Sequence, residues 1–322
     1  MANRGSLSEK SEYIPLLLLY GYGALLIFMN NVQPLHILIL ALIGVLYYTF
    51  AGGRRFVVGL LPLFIYVILY DSLRYAANHT FQVPHIQDLY EYEKALFGIK
   101  TSTGIITPNE WFYCTNELRC ENEINRLTPL LNFLGGISYG LWFPVPVFIT
   151  VFFFFKAKEL MARFAWCFLI ANIIGIIIYY IYPAAPPWYV HEVGFEFNAN
   201  QGGFEAGLRF FDQMVGAPLF KGLYGQGPNA FAAMPSMHSA FPVMVLYYGL
   251  RYFKWGNILL AIHMVSIWFF AVYLQHHYLL DVIPGILVSL TAIGIVETLT
   301  ARGAIKEKFE QMIAFIEGKP TD

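Results

Sequence analysis

The chain has 322 residues, of which 57% are apolar and 18% aromatic, while charged residues make up 13%, about half the usual globular share. With a formal net charge of −1 and scattered basic residues, it offers no basic face for nucleic-acid phosphates. So aromatic a composition also excludes a disordered chain, which leaves an all-α, polytopic membrane helix bundle with no separate soluble domain.

Eight apolar runs follow in chain order: Ile14–Met29, Leu35–Phe50, Phe56–Tyr70, Phe133–Phe155, Phe164–Tyr182, Ser239–Leu250, Ile258–Leu274 and Leu279–Leu299. The third and sixth are short for a span of about 20 residues. The first has no small-residue cleavage site and is followed at once by a second run, so it reads as a span and not as a cleavable signal peptide. No internal repeat is present to suggest a transporter of duplicated halves. The whole of residues 1–322 therefore reads as one integral membrane domain of about eight spans.

Lysines and arginines fall in alternate connections: Arg4 and Lys10, Arg54 and Arg55, Lys156 to Arg163, Arg251 and Lys254, and Arg302 to Lys308. Positive charge marks the cytoplasmic side, so both termini are expected there. The segments Asp71–Asn132 and Pro183–His238 then lie on the outer or lumenal side. Cys114 and Cys120 share the first of these, either as a disulfide in an oxidising compartment or as two free thiols. Cys167, within the fifth run, reads as an ordinary core residue.

Ionisable groups at the membrane edge are costly and call for an explanation. The run Met234-Pro235-Ser236-Met237-His238-Ser239 opens the sixth apolar run. A helix start there would turn unpaired N–H groups around Ser236 and His238 toward an anion. In Gln275-His276-His277-Tyr278-Leu279-Leu280-Asp281, His277 and Asp281 are four apart, which on a helix puts both on one face. A carboxylate against one imidazole nitrogen fixes the tautomer and makes the other nitrogen a base or nucleophile. Charge-derived topology brings His238 and His277 to the same side, where they are expected to share a site. An alternative is that the His–Asp pair satisfies two buried polar groups and nothing more.

These motifs, with Tyr182-Pro183-Ala184-Ala185-Pro186-Pro187-Trp188 and the stretch Gly202-Gly203 to Arg209-Asp212, resemble the type-2 phosphatidic acid phosphatase superfamily. More narrowly they resemble its inositol phosphorylceramide synthase branch, the target of aureobasidin A. The likeness is clear over residues 179–297 and weaker over 71–98, where Asp71-Ser72-Leu73-Arg74 and Glu93-x-x-Leu96-Phe97-Gly98 look related. The resemblance implies a six-span core, here about residues 133–300. It also implies His277 as the nucleophile toward phosphorus, Asp281 as its orienter and His238 as general acid and then base. No metal or cofactor is implied, since adjacent His276 and His277 diverge on a helix and no closed ligand set is visible.

The phosphatase members carry a Lys-x6-Arg-Pro motif and an arginine six residues before the nucleophile; here that position is Ala271. A phosphomonoester dianion wants those cations, whereas a diester monoanion needs fewer. The resemblance thus implies a membrane phosphotransferase moving phosphoinositol from phosphatidylinositol to ceramide, releasing diacylglycerol. The alternatives are a lipid phosphate phosphatase or a transferase of another headgroup. Substrate contacts are expected from Ser236, Arg209, Arg74, Asp212, Trp188 and Tyr278. Arg74 reads equally as a snorkelling interfacial residue, Arg209 with Asp212 as a loop ion pair, and Trp188 as part of an aromatic belt.

Overall fold

A computed structural model describes residues 14–28, 32, 34–116, 127–225 and 230–319. Cys120 lies outside the described residues, as does the side chain of Cys114. Each of the eight apolar runs forms a helix or a bent pair of helices. The first three are α1 (Ile14–Phe28), α2 (Pro34–Thr49) and the pair α3 (Ala51–Gly59) and α4 (Leu61–Ser72). The first long connection carries α5 (Gln87–Phe97), the antiparallel hairpin β1 (Ile99–Thr101) and β2 (Gly104–Ile106), and α6 (Pro108–Asn116). Then come α7 (Thr128–Gly140), α8 (Pro144–Lys156) and α9 (Lys158–Ile181). The second long connection holds α10 (Pro187–Glu192), α11 (Arg209–Val215) and α12 (Leu219–Tyr224). It leads to α13 (Met237–Gly249), α14 (Gly256–Tyr273), α15 (Leu279–Leu299) and α16 (Gly303–Glu317).

Among the described residues α9, α14 and α15 are each long and apolar enough to cross a membrane. The count rises to 5 if α3 with α4 and α7 with α8, bent by 54° and 42°, are each one span. The short runs behave as their lengths dictate. At 1.5 Å per residue the 13 residues of α13 reach about 20 Å, short of a hydrocarbon core of about 30 Å.

By its contacts the chain divides into two compact units. The first comprises Met1–Tyr70, Phe148–Leu169 and Ile293–Asp322. Its interior rests on edge-to-face aromatic pairs, Phe56 with Phe154 at 5.0 Å and Tyr66 with Phe168 at 5.1 Å. Arg163 is held by Glu159 and, at 3.2 Å, by Glu297.

The second unit, Asp71–Val147 and Ile170–Ala292, contains every residue of the candidate site. Tyr139, Leu208, Ile267, Phe270, Tyr273, Leu274 and Val282 form its core beneath that site. The two long connections are knitted together here. His85, Ala184 and Ala232 pair as parallel bridges, and the Ala184 N–H donates to the Phe231 carbonyl at 3.0 Å. Asn78, buried, donates from Nδ2 to the carbonyls of Tyr179 and Phe231 at 2.8 and 2.7 Å. A buried amide that finds two acceptors fixes its surroundings, so these connections are built structure and not loose loops.

Candidate active site

Three chain termini and turns build the site. Ser236 is the N-cap of α13: its Oγ accepts from the Ser239 N–H at 3.2 Å, so the helix starts where the Pro-Ser pair suggests. His238 is therefore in the first turn. The Ser236 N–H donates to the Asp281 carbonyl at 2.9 Å, stitching the start of α13 to the start of α15. Gly285 makes that approach possible, because a Cβ there would overlap the Ser236 backbone.

The chain between α14 and α15 is a Schellman turn. The His276 N–H donates to the Ala271 carbonyl at 3.1 Å and the Gln275 N–H to Val272 at 3.1 Å. Gln275 takes the left-handed conformation, φ 66°, where glycine is usual. Its side chain supplies the reason. Nε2 donates to the Asn109 carbonyl at 2.8 Å, while Asn109 Nδ2 donates to the carbonyls of Val272 and His277, each at 3.0 Å. Asn109 and Gln275 thus clamp the turn that presents the histidines.

Tyr278 precedes α15 and Asp281 stands in its first turn, reaching back to accept the Tyr278 N–H at 2.8 Å on Oδ2. His277 lies before the helix, so it shares no helical face with Asp281. The two meet because the carboxylate folds back, with Oδ2 at 3.5 Å from His277 Nδ1. That is long for a hydrogen bond. On the other side of the ring, Nε2 of His277 is 3.1 Å from Nδ1 of His238. His277 and Asp281 are buried at 5% and 0% exposure, so this is a water-poor polar cluster.

Aromatic rings hold the histidines. Tyr139 is stacked between His238, centroids 4.7 Å apart at 16°, and His276, 5.0 Å apart at 15°. Tyr224 also stacks on His276 at 4.8 Å, and Trp142 packs on His238 at 4.4 Å. Burial, with His277 beside it, pushes the His276 imidazole down to about 3, so His276 is a neutral member of the stack.

The first turn of α15 is closed by a second carboxylate. Glu93 of α5, fully buried, accepts the Leu279 and Leu280 N–H groups at 3.0 Å each. Burial pushes its carboxyl up to about 7, against the two backbone donors and with the Asp281 charge adding to the rise. Beside the turn lies a small cleft, with free room for about one water molecule, lined by Tyr113, Trp188, His191, Glu192, Arg209 and Gln275, among others. It borders Gln275, and its lining does not include His238, His277 or Asp281.

Residues 105–295 match the PAP2 superfamily. The chain belongs to that superfamily. A phosphoinositol dihydroceramide synthase of Bacteroides thetaiotaomicron is 37% identical over 254 residues, covering 78% of this chain and 80% of the relative. An inositol phosphorylceramide synthase of Candida albicans is 30% identical, over 51% of this chain and 36% of its own length. The inositol phosphorylceramide synthase catalytic subunit of Saccharomyces cerevisiae is 26% identical, over 88% and 66%. No solved structure matches the chain. Within the superfamily this chain stands with the inositol phosphorylceramide synthase-type phosphotransferases.

Of the site residues expected from sequence, His238, His277, Asp281 and Ser236 converge on one point. Trp188 and Arg209 line the cleft, where Arg209 pairs with Glu192 at 3.2 Å. Asp212 has both oxygens occupied at the start of α12, accepting the N–H groups of Phe220 at 3.0 Å and Lys221 at 2.9 Å. Tyr278 is buried against Leu89, Tyr90, Ala184 and Ala233. Arg74 sits in the 3-10 turn Leu73–Tyr75 that ends α4, and its side chain lies outside the described residues. Among the described residues no group of three or more His, Cys, Asp or Glu is placed to hold a metal ion.

Sequence reasoning missed Tyr139 and Asn109, and gave Gln275 and Glu93 no role beyond their place in a motif. A polar Asn109–Glu110 pair after Thr107-Pro108 signals only a helix start, and Tyr139 is one tyrosine among 22.

Proposed function

We propose that this protein transfers phosphoinositol from phosphatidylinositol to the primary hydroxyl of a ceramide, releasing diacylglycerol, through a phosphohistidine intermediate on His277. The observation that carries the proposal is the linear order Asp281 Oδ2, His277 Nδ1, His277 Nε2 and His238 Nδ1, with contacts of 3.5 and 3.1 Å. Asp281 holds the proton on Nδ1, which leaves the Nε2 lone pair facing His238.

In the first half-reaction Nε2 of His277 forms a bond to phosphorus and the bond from phosphorus to the diacylglycerol oxygen breaks. That oxygen takes a proton from His238 and leaves as diacylglycerol. In the second, the ceramide hydroxyl attacks the same phosphorus, its proton passes to His238, and the N–P bond breaks. His238 ends as it began, and the sum is one phosphodiester exchanged for another. An in-line phosphorus between nucleophile and acid needs roughly 6 Å between the two nitrogens. The 3.1 Å contact is therefore a resting hydrogen bond that parts as the diester enters.

The first-turn N–H groups of α13, next to the Ser236 cap, suit the two free oxygens of a diester monoanion. Ala271, buried in the core, stands where a phosphatase would carry an arginine, which favours a diester over a monoester dianion. The relatives' names, which join a phosphoinositol group to a ceramide or dihydroceramide, support the transferred group and the acceptor.

The site opens to the outer or lumenal face and both termini are cytoplasmic, as the alternating basic clusters suggest. Labelling of a cysteine placed at Asn200 only from the cytoplasm would overturn that orientation. The intermediate is tested by incubating purified protein with inositol-labelled phosphatidylinositol and no ceramide, then quenching in alkali. Acid-labile label on the wild type and none on His277→Ala is the expected result; label retained by His277→Ala would refute it.

A further inference from the structure

Glu93 has a place in the structure that its sequence does not announce. It comes from the first long connection, on α5, and reaches a helix start 186 residues later in the chain. Its carboxylate is fully buried, and among the described residues it pairs with no cation. Instead its two oxygens divide two adjacent backbone donors, the N–H groups of Leu279 and Leu280, at 3.0 Å each. These are the first two helical N–H groups of α15, where the helix dipole favours an anion. Asp281 takes the next donor back, the N–H of Tyr278.

We infer that Glu93 is a positioning residue for the nucleophile: it fixes the start of α15, and through it the one-residue link, Tyr278, to His277 and the fold-back of Asp281. His277 hangs on a short chain segment clamped at both ends. At the α14 end the clamps are the Schellman bonds and Asn109. At the α15 end two bonds come from separate elements: the Ser236 N–H of α13 holds the Asp281 carbonyl, and Glu93 of α5 holds the N–H groups of the first two helical residues. A carboxylate spanning two successive N–H groups sets both the position and the rotation of that first turn. Displacing a reacting group by about 1 Å can cost about 100-fold in rate. Because Glu93 occupies these donors, substrate phosphate has no open helix terminus at α15 and is left with that of α13, beside His238. The inference rests on the transfer reaction proposed above and adds to it a residue that touches no substrate.

The test uses the full-length protein in detergent with Glu93→Gln, Glu93→Asp and Glu93→Ala. Two readouts are taken: kcat and KM for phosphoinositol transfer, and hydrogen exchange of the peptide containing Leu279 and Leu280, which needs no substrate. Glu93→Gln leaves one acceptor and turns an NH2 toward the second donor; Glu93→Asp keeps the charge but is one methylene short. The expected result is kcat reduced about 10- to 100-fold in Glu93→Gln with KM for phosphatidylinositol within about 3-fold, a smaller loss in Glu93→Asp, and faster exchange at 279–280 in both. Faster exchange with kcat within 2-fold of wild type would overturn the positioning role while leaving the reaction intact. Unchanged exchange would overturn the cap itself. Wild-type protein that transfers no phosphoinositol would instead refute the underlying reaction, a failure readable without any Glu93 variant. Glu93→Ala sets the floor, and Glu93→Asp no better than Glu93→Ala would also count against the charge-and-reach account.

Discussion

Replacing Asp281 with asparagine keeps shape and volume and removes one acceptor. In the wild type Oδ2 serves both the Tyr278 N–H at 2.8 Å and His277 Nδ1 at 3.5 Å. An asparagine that keeps its oxygen where Oδ2 stands retains both contacts but loses the negative charge that supports the proton on Nδ1. One that turns its NH2 toward His277 stabilises the tautomer with the proton on Nε2, the nitrogen that must attack. Loss of a hydrogen bond to a buried charged group costs about 1.5–3 kcal/mol, or roughly 10- to 150-fold in rate. The wrong-tautomer outcome in an analogous triad reaches about 10⁴-fold. The expected fall in kcat for Asp281→Asn therefore lies between about 100- and 10⁴-fold, with KM nearly unchanged, since Asp281 is buried and touches no substrate. The assay is the initial rate of inositol phosphorylceramide formation by purified protein, with thermal unfolding as a folding control. A folded Asp281→Asn protein within about 3-fold of the wild-type rate would refute the orienting role.

Gly285→Ala should lower both Tm and kcat, because the new Cβ would overlap the Ser236 backbone and part the α13 start from the α15 start, an overpacking cost of about 1–3 kcal/mol. Gly294→Ala on the same helix, with open space around it, is the matched control and should not destabilise. Tyr139→Phe should keep most of the activity, since the stacked ring remains, whereas Tyr139→Ala should lose kcat by freeing both His238 and His276; equal rates in the two would dismiss the stack. Folded Glu93 titrates at about 7, above the usual carboxylate, so between about pH 4.5 and 7 the folded protein holds a proton that the unfolded chain releases. Its contribution is complete below that window and lost as pH rises through it, so the Tm of the wild type relative to Glu93→Gln should fall from pH 5 to pH 8. A rise over that interval would contradict the burial.

How far the sequence carried can be read from particular residues. The apolar runs became helices because hydrophobic length is a local property. Leu60 and residues 141–143, where two runs bend, carry no warning beyond nearby prolines. The His–Asp spacing pointed to the right pair for a different physical reason: His277 precedes the helix, and Asp281 reaches back as its own helix cap. The left-handed Gln275 hides the turn, because glycine is what announces such a position and here a side-chain amide does its work. Glu93 and Asn109 act on residues more than 150 positions away, and such pairings are fixed by packing that one sequence does not display. Asp212 reads as a polar loop residue available to a ligand, yet both its oxygens close the start of α12.

The central claim is that the histidine pair exchanges one phosphodiester for another and does not hydrolyse a monoester. Purified wild-type protein in detergent, given labelled phosphatidylinositol with and without ceramide and, separately, phosphatidic acid, tests it directly. The expected result is consumption of phosphatidylinositol that depends on ceramide, equimolar diacylglycerol and inositol phosphorylceramide, and little phosphate from phosphatidic acid. Rapid release of inorganic phosphate from phosphatidic acid, with no effect of ceramide on phosphatidylinositol, would contradict the account.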